Sequence, residues 1–125
     1  MAGGGLHEPL DKLTPETLNV HRALNSLMEE LEAIDWYRQR ADACPDEQLK
    51  AVLEHNMNEE IEHASMVLEW IRRNVPKFAE ALKTYLFTSG DITKIEEIAT
   101  GGEAATGPEG GKSKPRMTIG DLKGR

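Results

Sequence analysis

The chain has 125 residues, 38% of them hydrophobic and only 5% aromatic, with 22 acidic against 15 basic side chains and a formal net charge of −7. That length supports one domain with tails, and the acidic balance without a basic stripe argues against a nucleic-acid partner. No window approaches the roughly 18 continuous apolar residues of a membrane span, and the single cysteine, Cys44, rules out an intrachain disulfide. Met1 to Pro9 has neither a basic n-region nor an apolar h-region, so the expectation is a soluble, cytoplasmic protein.

Residues 1–13 read as a loose arm. Thr14-Pro15 is a helix start, with Thr as N-cap and Pro at the first helical position. The first helix is predicted over Pro15 to Ala43, with Leu24, Leu27, Leu31 and Ile34 on one face. Pro45 pushes Cys44 out of the helical region and breaks it. A second helix is predicted over Asp46 to Asn74, with Leu49, Leu53, Met57, Ala64, Val67 and Ile71 as its apolar face. Pro76 ends it. A shorter helix over Lys77 to Phe87 and a fourth over Asp91 to Ala99 follow.

From Gly101 the composition turns to glycine and proline without periodicity, so residues 100–116 read as a flexible linker before a last segment, 117–125, that regains Ile119 and Leu122. The helical domain spans 14–99. The fold class is all-α: an antiparallel two-helix hairpin plus a short C-terminal helix. Helices of roughly 40 Å leave much of a lone hairpin's apolar stripe wet, and pairing two hairpins into a four-helix bundle covers it.

Chemistry concentrates at Glu30, Glu60 and His63. With Leu53 at the centre of the second helix's core face, a 100° wheel puts Glu60 within about 20° of that centre, between Met57 and Ala64. An ionised carboxylate there is expensive to bury, so it is protonated, paired with a cation or bound to metal. His63 follows at i+3, which lets both side chains reach one point beside the helix. On the first helix, Glu30 lies at about 60° and Tyr37 at about 80° from Leu27, on the flank of the stripe. Two copies would supply four Glu and two His, the ligand set of four-helix di-iron and di-manganese carboxylate proteins. Two divalent ions cancel the −4 of those carboxylates. The bland alternatives are an ion pair of Glu60 with Arg38 or Arg40 and a solvated Glu30. His21 and His55 read as surface residues. Glu29, Glu32 and Trp36 form a second stripe, read either as a solvated acidic face or as a weak cation-attracting route to the buried site.

Four stretches are similar to the encapsulated ferritins: Met28-Glu29-Glu30-Leu31-Glu32-Ala33-Ile34-Asp35-Trp36-Tyr37, His55-Asn56-Met57-Asn58-Glu59-Glu60-Ile61-Glu62-His63, Leu68-Glu69-Trp70-Ile71-Arg72-Arg73 and Thr84-Tyr85-Leu86-Phe87-Thr88. The similarity runs from about Leu6 to Ile92. It implies a two-helix ferritin-like chain that dimerises into a four-helix bundle and builds a decameric ring, a pentamer of dimers. It implies a ferroxidase that oxidises Fe(II) to Fe(III) with dioxygen. Two iron ions would sit per pair of chains, held by Glu30, Glu60 and His63 of both copies with Tyr37 beside them; Ca, Zn or Mn would stand in after purification. Glu29, Glu32 and Trp36 would match the family's metal-uptake route.

The C-terminal segment Met117-Thr118-Ile119-Gly120-Asp121-Leu122-Lys123-Gly124 resembles the encapsulin cargo-loading peptide, whose usual pattern is Leu-Gly-Ile-Gly-Ser-Leu-Lys. It keeps Ile119, Gly120, Leu122 and Lys123 and departs at Met117, Thr118 and Asp121. An extended segment with two apolar anchors suits shallow docking pockets. The implied partner is an encapsulin shell protein, and the implied location is inside the encapsulin nanocompartment. Competing readings are a structural cargo or adaptor protein whose assembly is locked by metal without turnover, and another di-metal oxidoreductase.

Overall fold

The protein was described from a computed structural model, which covers residues 5–101. Every regular element among them is helical: a single 3-10 turn at Leu10–Lys12, then α1 (Pro15–Ala43), α2 (Glu47–Asn74), α3 (Pro76–Tyr85) and α4 (Ile92–Ala99). The 3-10 turn gives the expected N-terminal arm one ordered piece, fully exposed.

Local chemistry sets each boundary. The Thr14 hydroxyl accepts from the Thr17 amide at 3.1 Å, and Pro15 occupies the first helical position. Cys44 is extended, at ψ 121°, as the residue before a proline must be. Asp46 then caps α2 by accepting from the Leu49 amide at 2.9 Å. The connection is only Cys44-Pro45-Asp46, so α1 and α2 fold back on each other as an antiparallel hairpin. Before Pro76, Val75 is likewise extended. α3 stops at Tyr85, two residues short of the predicted Phe87, because Phe87 turns to a positive φ of 61°.

The described residues divide into two units, the hairpin through Val75 and the segment from Pro76. In the second, α4 packs on α3, starting from an Asp91 cap whose Oδ1 accepts from the Thr93 amide at 3.0 Å.

The hairpin's core is thin. Only Ala41, Ala64 and Ile71 are buried, and Ile71 is the one large side chain with no exposure. Leu24, Leu27, Ile34, Leu53, Met57 and Val67 are half-buried along the seam. Two expected core residues are not there: Leu31 is 52% exposed and Leu49 is 50% exposed. For Leu31 the cause is the axis of the seam. It runs through Ala23, Ile34 and Ala41, turned by roughly 30° from Leu27 toward Glu30, because helices approach most closely over small residues. Leu31 is thereby rotated outward and Glu30 inward. Leu49 lies in the first turn of α2, where the last turn of α1, Arg40-Ala41-Asp42-Ala43, offers only charged or one-carbon side chains to cover it.

Candidate metal centre

Glu30 from the middle of α1 meets Glu60 and His63 from the middle of α2. One ligand atom from each lies within 4.8 Å of the others. His63 Nδ1 is 3.2 Å from Glu60 Oε1 and 3.8 Å from Glu30 Oε1. The i, i+3 spacing on α2 and the inward rotation of α1 produce this convergence. The site is neither a buried core nor open surface: the side chains of Glu30, Glu60 and His63 are 26%, 25% and 45% exposed.

The electrostatics are those of crowded acids around one base. A side-chain hydrogen bond with Glu60, aided by partial burial, holds the Glu30 carboxyl above the usual carboxylate range. The same bond, with His63 added, holds Glu60 below it. His63 is raised, first by its hydrogen bond to Glu60 and then by the charge of Glu30, against partial desolvation. The shifts favour the protonated forms of Glu30 and His63, which is how such a cluster lowers its own repulsion when no cation does so. Two carboxylates and one imidazole are a fitting donor set for Fe(II), Mn(II) or Zn(II). Three ligands leave coordination positions open.

The other predicted residues are distributed differently. Tyr37 is half-buried, and the Arg40 guanidinium lies 5.5 Å over its ring. Its hydroxyl makes no hydrogen bond to the three ligand residues. Neither Arg38 nor Arg40 is within ion-pair distance of Glu60 among the described residues, which removes that alternative. Glu29 and Trp36 are exposed and Glu32 is half-buried, so the stripe is less solvated than a plain acidic face. Trp36 lines an open depression of about 250 Å³ with Gln39 and Arg40. His55 is exposed, 3.9 Å from Glu59. His21, expected at the surface, is half-buried. Ile119, Gly120, Leu122 and Lys123 lie outside the described residues. Sequence reasoning missed an open groove of about 470 Å³ between α1 and α2, lined by Arg22, Ser26, Met66, Val67 and Trp70; the i, i+4 pair Met66 and Trp70 was its available signal.

A sequence profile described as EncFtn-like matches residues 5–89. The chain is 54% identical over 122 residues to an encapsulated ferritin-like protein of Rhodospirillum rubrum, covering 94% of this chain and 87% of that one. It is 53% identical over 108 residues to a ferritin-like protein of Thermotoga maritima, covering 86% and 95%. It is 38% identical over 99 residues to an encapsulin nanocompartment cargo protein of Myxococcus xanthus, covering 75% and 76%. A solved crystal structure of a protein from Nitrosomonas europaea superposes with a TM-score of 0.69 at 56% identity, covering 71% of this chain and 98% of that one. This all-helical chain with a Glu-Glu-His cluster belongs to the EncFtn-like family.

Proposed function

We propose that the protein is a ferroxidase that oxidises Fe(II) to Fe(III) with dioxygen at a di-iron site formed by two copies of the chain, and that it works as cargo of an encapsulin shell. The observation that carries the reading is the cluster itself: ligand atoms of Glu30, Glu60 and His63 converge within 4.8 Å of one another at partly exposed positions. A second copy apposed at those positions would supply the same three ligands again. Four Glu and two His would then hold two Fe(II) ions, each carboxylate oxygen neutralising cation charge and each imidazole giving a nitrogen. Two adjacent irons matter because dioxygen reduction takes more than one electron. Metal ligation needs the deprotonated carboxylates and neutral imidazole, so loading competes with protons at Glu30 and His63. Tyr37, two turns from Glu30 on α1, is read as limiting access to the site.

Cargo status is supported by the relatives named as encapsulated or as encapsulin cargo. The Rhodospirillum alignment covers 94% of the chain, so it extends past residue 101 toward the segment that carries Ile119, Gly120, Leu122 and Lys123. We read that segment as the shell-docking peptide, the ring as decameric, and Glu29, Glu32 and Trp36 as the uptake route for iron. The test is oxygen consumption on adding Fe(II) to metal-free protein. The expected rate exceeds protein-free autoxidation and is abolished by prior Zn(II), which binds such ligands at least as tightly and has no redox chemistry. A rate equal to autoxidation would reject the enzyme and leave a metal-locked structural cargo.

A further inference from the structure

The groove between α1 and α2 continues the face that carries the metal ligands. Asn19, Ala23 and Ser26 precede Glu30 on α1 at spacings of four, three and four, so they share its side of the helix. Val67 and Trp70 follow His63 on α2 at spacings of four and three, with Met66 beside them. Ser26 is thus one turn from Glu30, and Val67 is one turn from His63. The groove that these residues line has a volume of about 470 Å³, within the range of small-molecule clefts.

Its polar lining is a set of donors. The Arg22 guanidinium gives one N–H to Asn19 Oδ1 at 2.7 Å, which orients it and leaves its other N–H groups free. The Ser26 hydroxyl and the Trp70 indole N–H also line the groove, and neither makes a hydrogen bond among the described residues. Asn19 Oδ1, the amide acceptor of the lining, is already taken by Arg22. No carboxylate pairs with Arg22 among the described residues, whereas Arg72 and Arg73 share Glu69. Between Lys12 and Arg38 no other Lys or Arg occurs, so Arg22 is the one fixed positive charge of a stretch that carries Glu16, Glu29, Glu30, Glu32 and Asp35. Ala23, Val67 and Met66 give the floor apolar surface, beside which charge-assisted bonds gain strength.

We propose that the groove binds inorganic phosphate, with Arg22 in a charge-assisted pair and the Ser26 hydroxyl and Trp70 N–H as neutral donors. A phosphate dianion presents acceptor oxygens on several sides, which is what this lining satisfies. A cation would be repelled by Arg22, and an apolar side chain would leave the donors unmet. The binding itself does not depend on the ferroxidase reading, but its use does. Fe(III) takes oxygen ligands, and an oxyanion one to two turns from Glu30 and His63 receives it as it leaves those residues. The groove is then the exit side of the metal centre.

The binding test needs no iron. Full-length, metal-free protein carrying Trp36→Phe keeps Trp70 as its only tryptophan. Its fluorescence is followed as inorganic phosphate replaces chloride at constant ionic strength. A saturable change is expected, with a midpoint raised about tenfold or more by Arg22→Gln and by a smaller factor by Ser26→Ala, at unchanged helicity. A change that fails to saturate would overturn the proposal, as would a midpoint indifferent to both substitutions, which would mean that a carboxylate of another chain, and not phosphate, occupies the groove. The exit role is read separately, as the ratio of the later rate of oxygen uptake to the first-turnover burst. Phosphate should raise that ratio severalfold in the unmutated protein and not in Arg22→Gln. Saturable binding without this effect would overturn the exit role. Absence of any burst would reject the ferroxidase reading, and with it the exit role, and would leave the phosphate site standing on the fluorescence.

Discussion

Glu30 on α1 and Glu60 on α2 bring carboxylate oxygens within 4.8 Å of each other across the hairpin, and their proximity moves the carboxyls in opposite directions, Glu30 up and Glu60 down. Two acids this close titrate as a pair. With His63 also raised by Glu60, the metal-free site prefers to carry protons that a divalent ion must displace. Both displaced groups have raised values, so metal binding strengthens as pH rises through them and weakens as pH falls. Below those values affinity should drop roughly tenfold per pH unit for each proton displaced. Calorimetry in buffers of different ionisation enthalpy should register proton release at pH 6. Affinity that is flat between pH 5 and 7 would contradict this competition between metal and protons.

Glu60→Ala removes the carboxylate that touches both other ligands. Even outer-shell partners of a metal cost about 10–100-fold when mutated, so oxidation of Fe(II) should fall by on the order of a hundredfold or more. Helicity should be kept, because Glu60 supplies no packing that alanine cannot replace. Circular dichroism and an oxygen electrode on the same sample separate loss of chemistry from loss of fold.

Among the described residues, Ile71 is the only large side chain with no solvent exposure. Ile71→Ala should therefore cost about 2–5 kcal/mol in denaturant unfolding. Leu31→Ala, at a half-exposed position, should cost far less in a dissociated chain and should weaken pairing of chains instead. Equal losses of unfolding free energy in the two variants at a concentration that keeps chains apart would contradict the burial pattern.

Glu69 accepts from Arg72 at 2.8 and 2.7 Å and from Arg73 at 2.7 Å. Hydrogen bonds from Arg72 first, then Arg73, hold its carboxyl down at about 2. A depressed folded-state value contributes stability that is fully present above the unfolded value near 4.5 and is lost as pH falls through about 2. Glu69→Gln should lower Tm at pH 7, and the difference from the unmutated protein should shrink between pH 4.5 and pH 2. High salt should reduce it as well, because the cluster is partly exposed. A Tm difference independent of pH would show that packing, not charge, is what Glu69 contributes.

Most of the fold was legible because its punctuation is local. Thr14-Pro15, Cys44-Pro45-Asp46 and Val75-Pro76 state where helices start and stop without reference to tertiary contacts. The α2 face was also readable, since Leu53, Met57, Glu60, Ala64 and Ile71 align on one wheel. The α1 face was not, because Leu27 and Leu31 outweighed Ala23 and Ala41 in a reading based on hydrophobic size, whereas close approach of helices selects small residues. Glu30, read on the flank of that stripe, does reach across the hairpin to Glu60 and His63. The positive φ of Phe87 left no trace in periodicity, and it shortened α3. The opposed shifts of Glu30 and Glu60 depend on a distance across the hairpin that spacing along one chain does not contain.

The central claim is that three ligands per chain make a working site only when two chains meet. The most direct measurement follows oxygen uptake and native mass together while metal-free protein is loaded anaerobically with Fe(II), diluted to different chain concentrations and then aerated. The account predicts two irons per pair of chains and a rate per chain that falls in proportion to the paired fraction. A rate per chain that stays constant while the protein dissociates to single chains would contradict it.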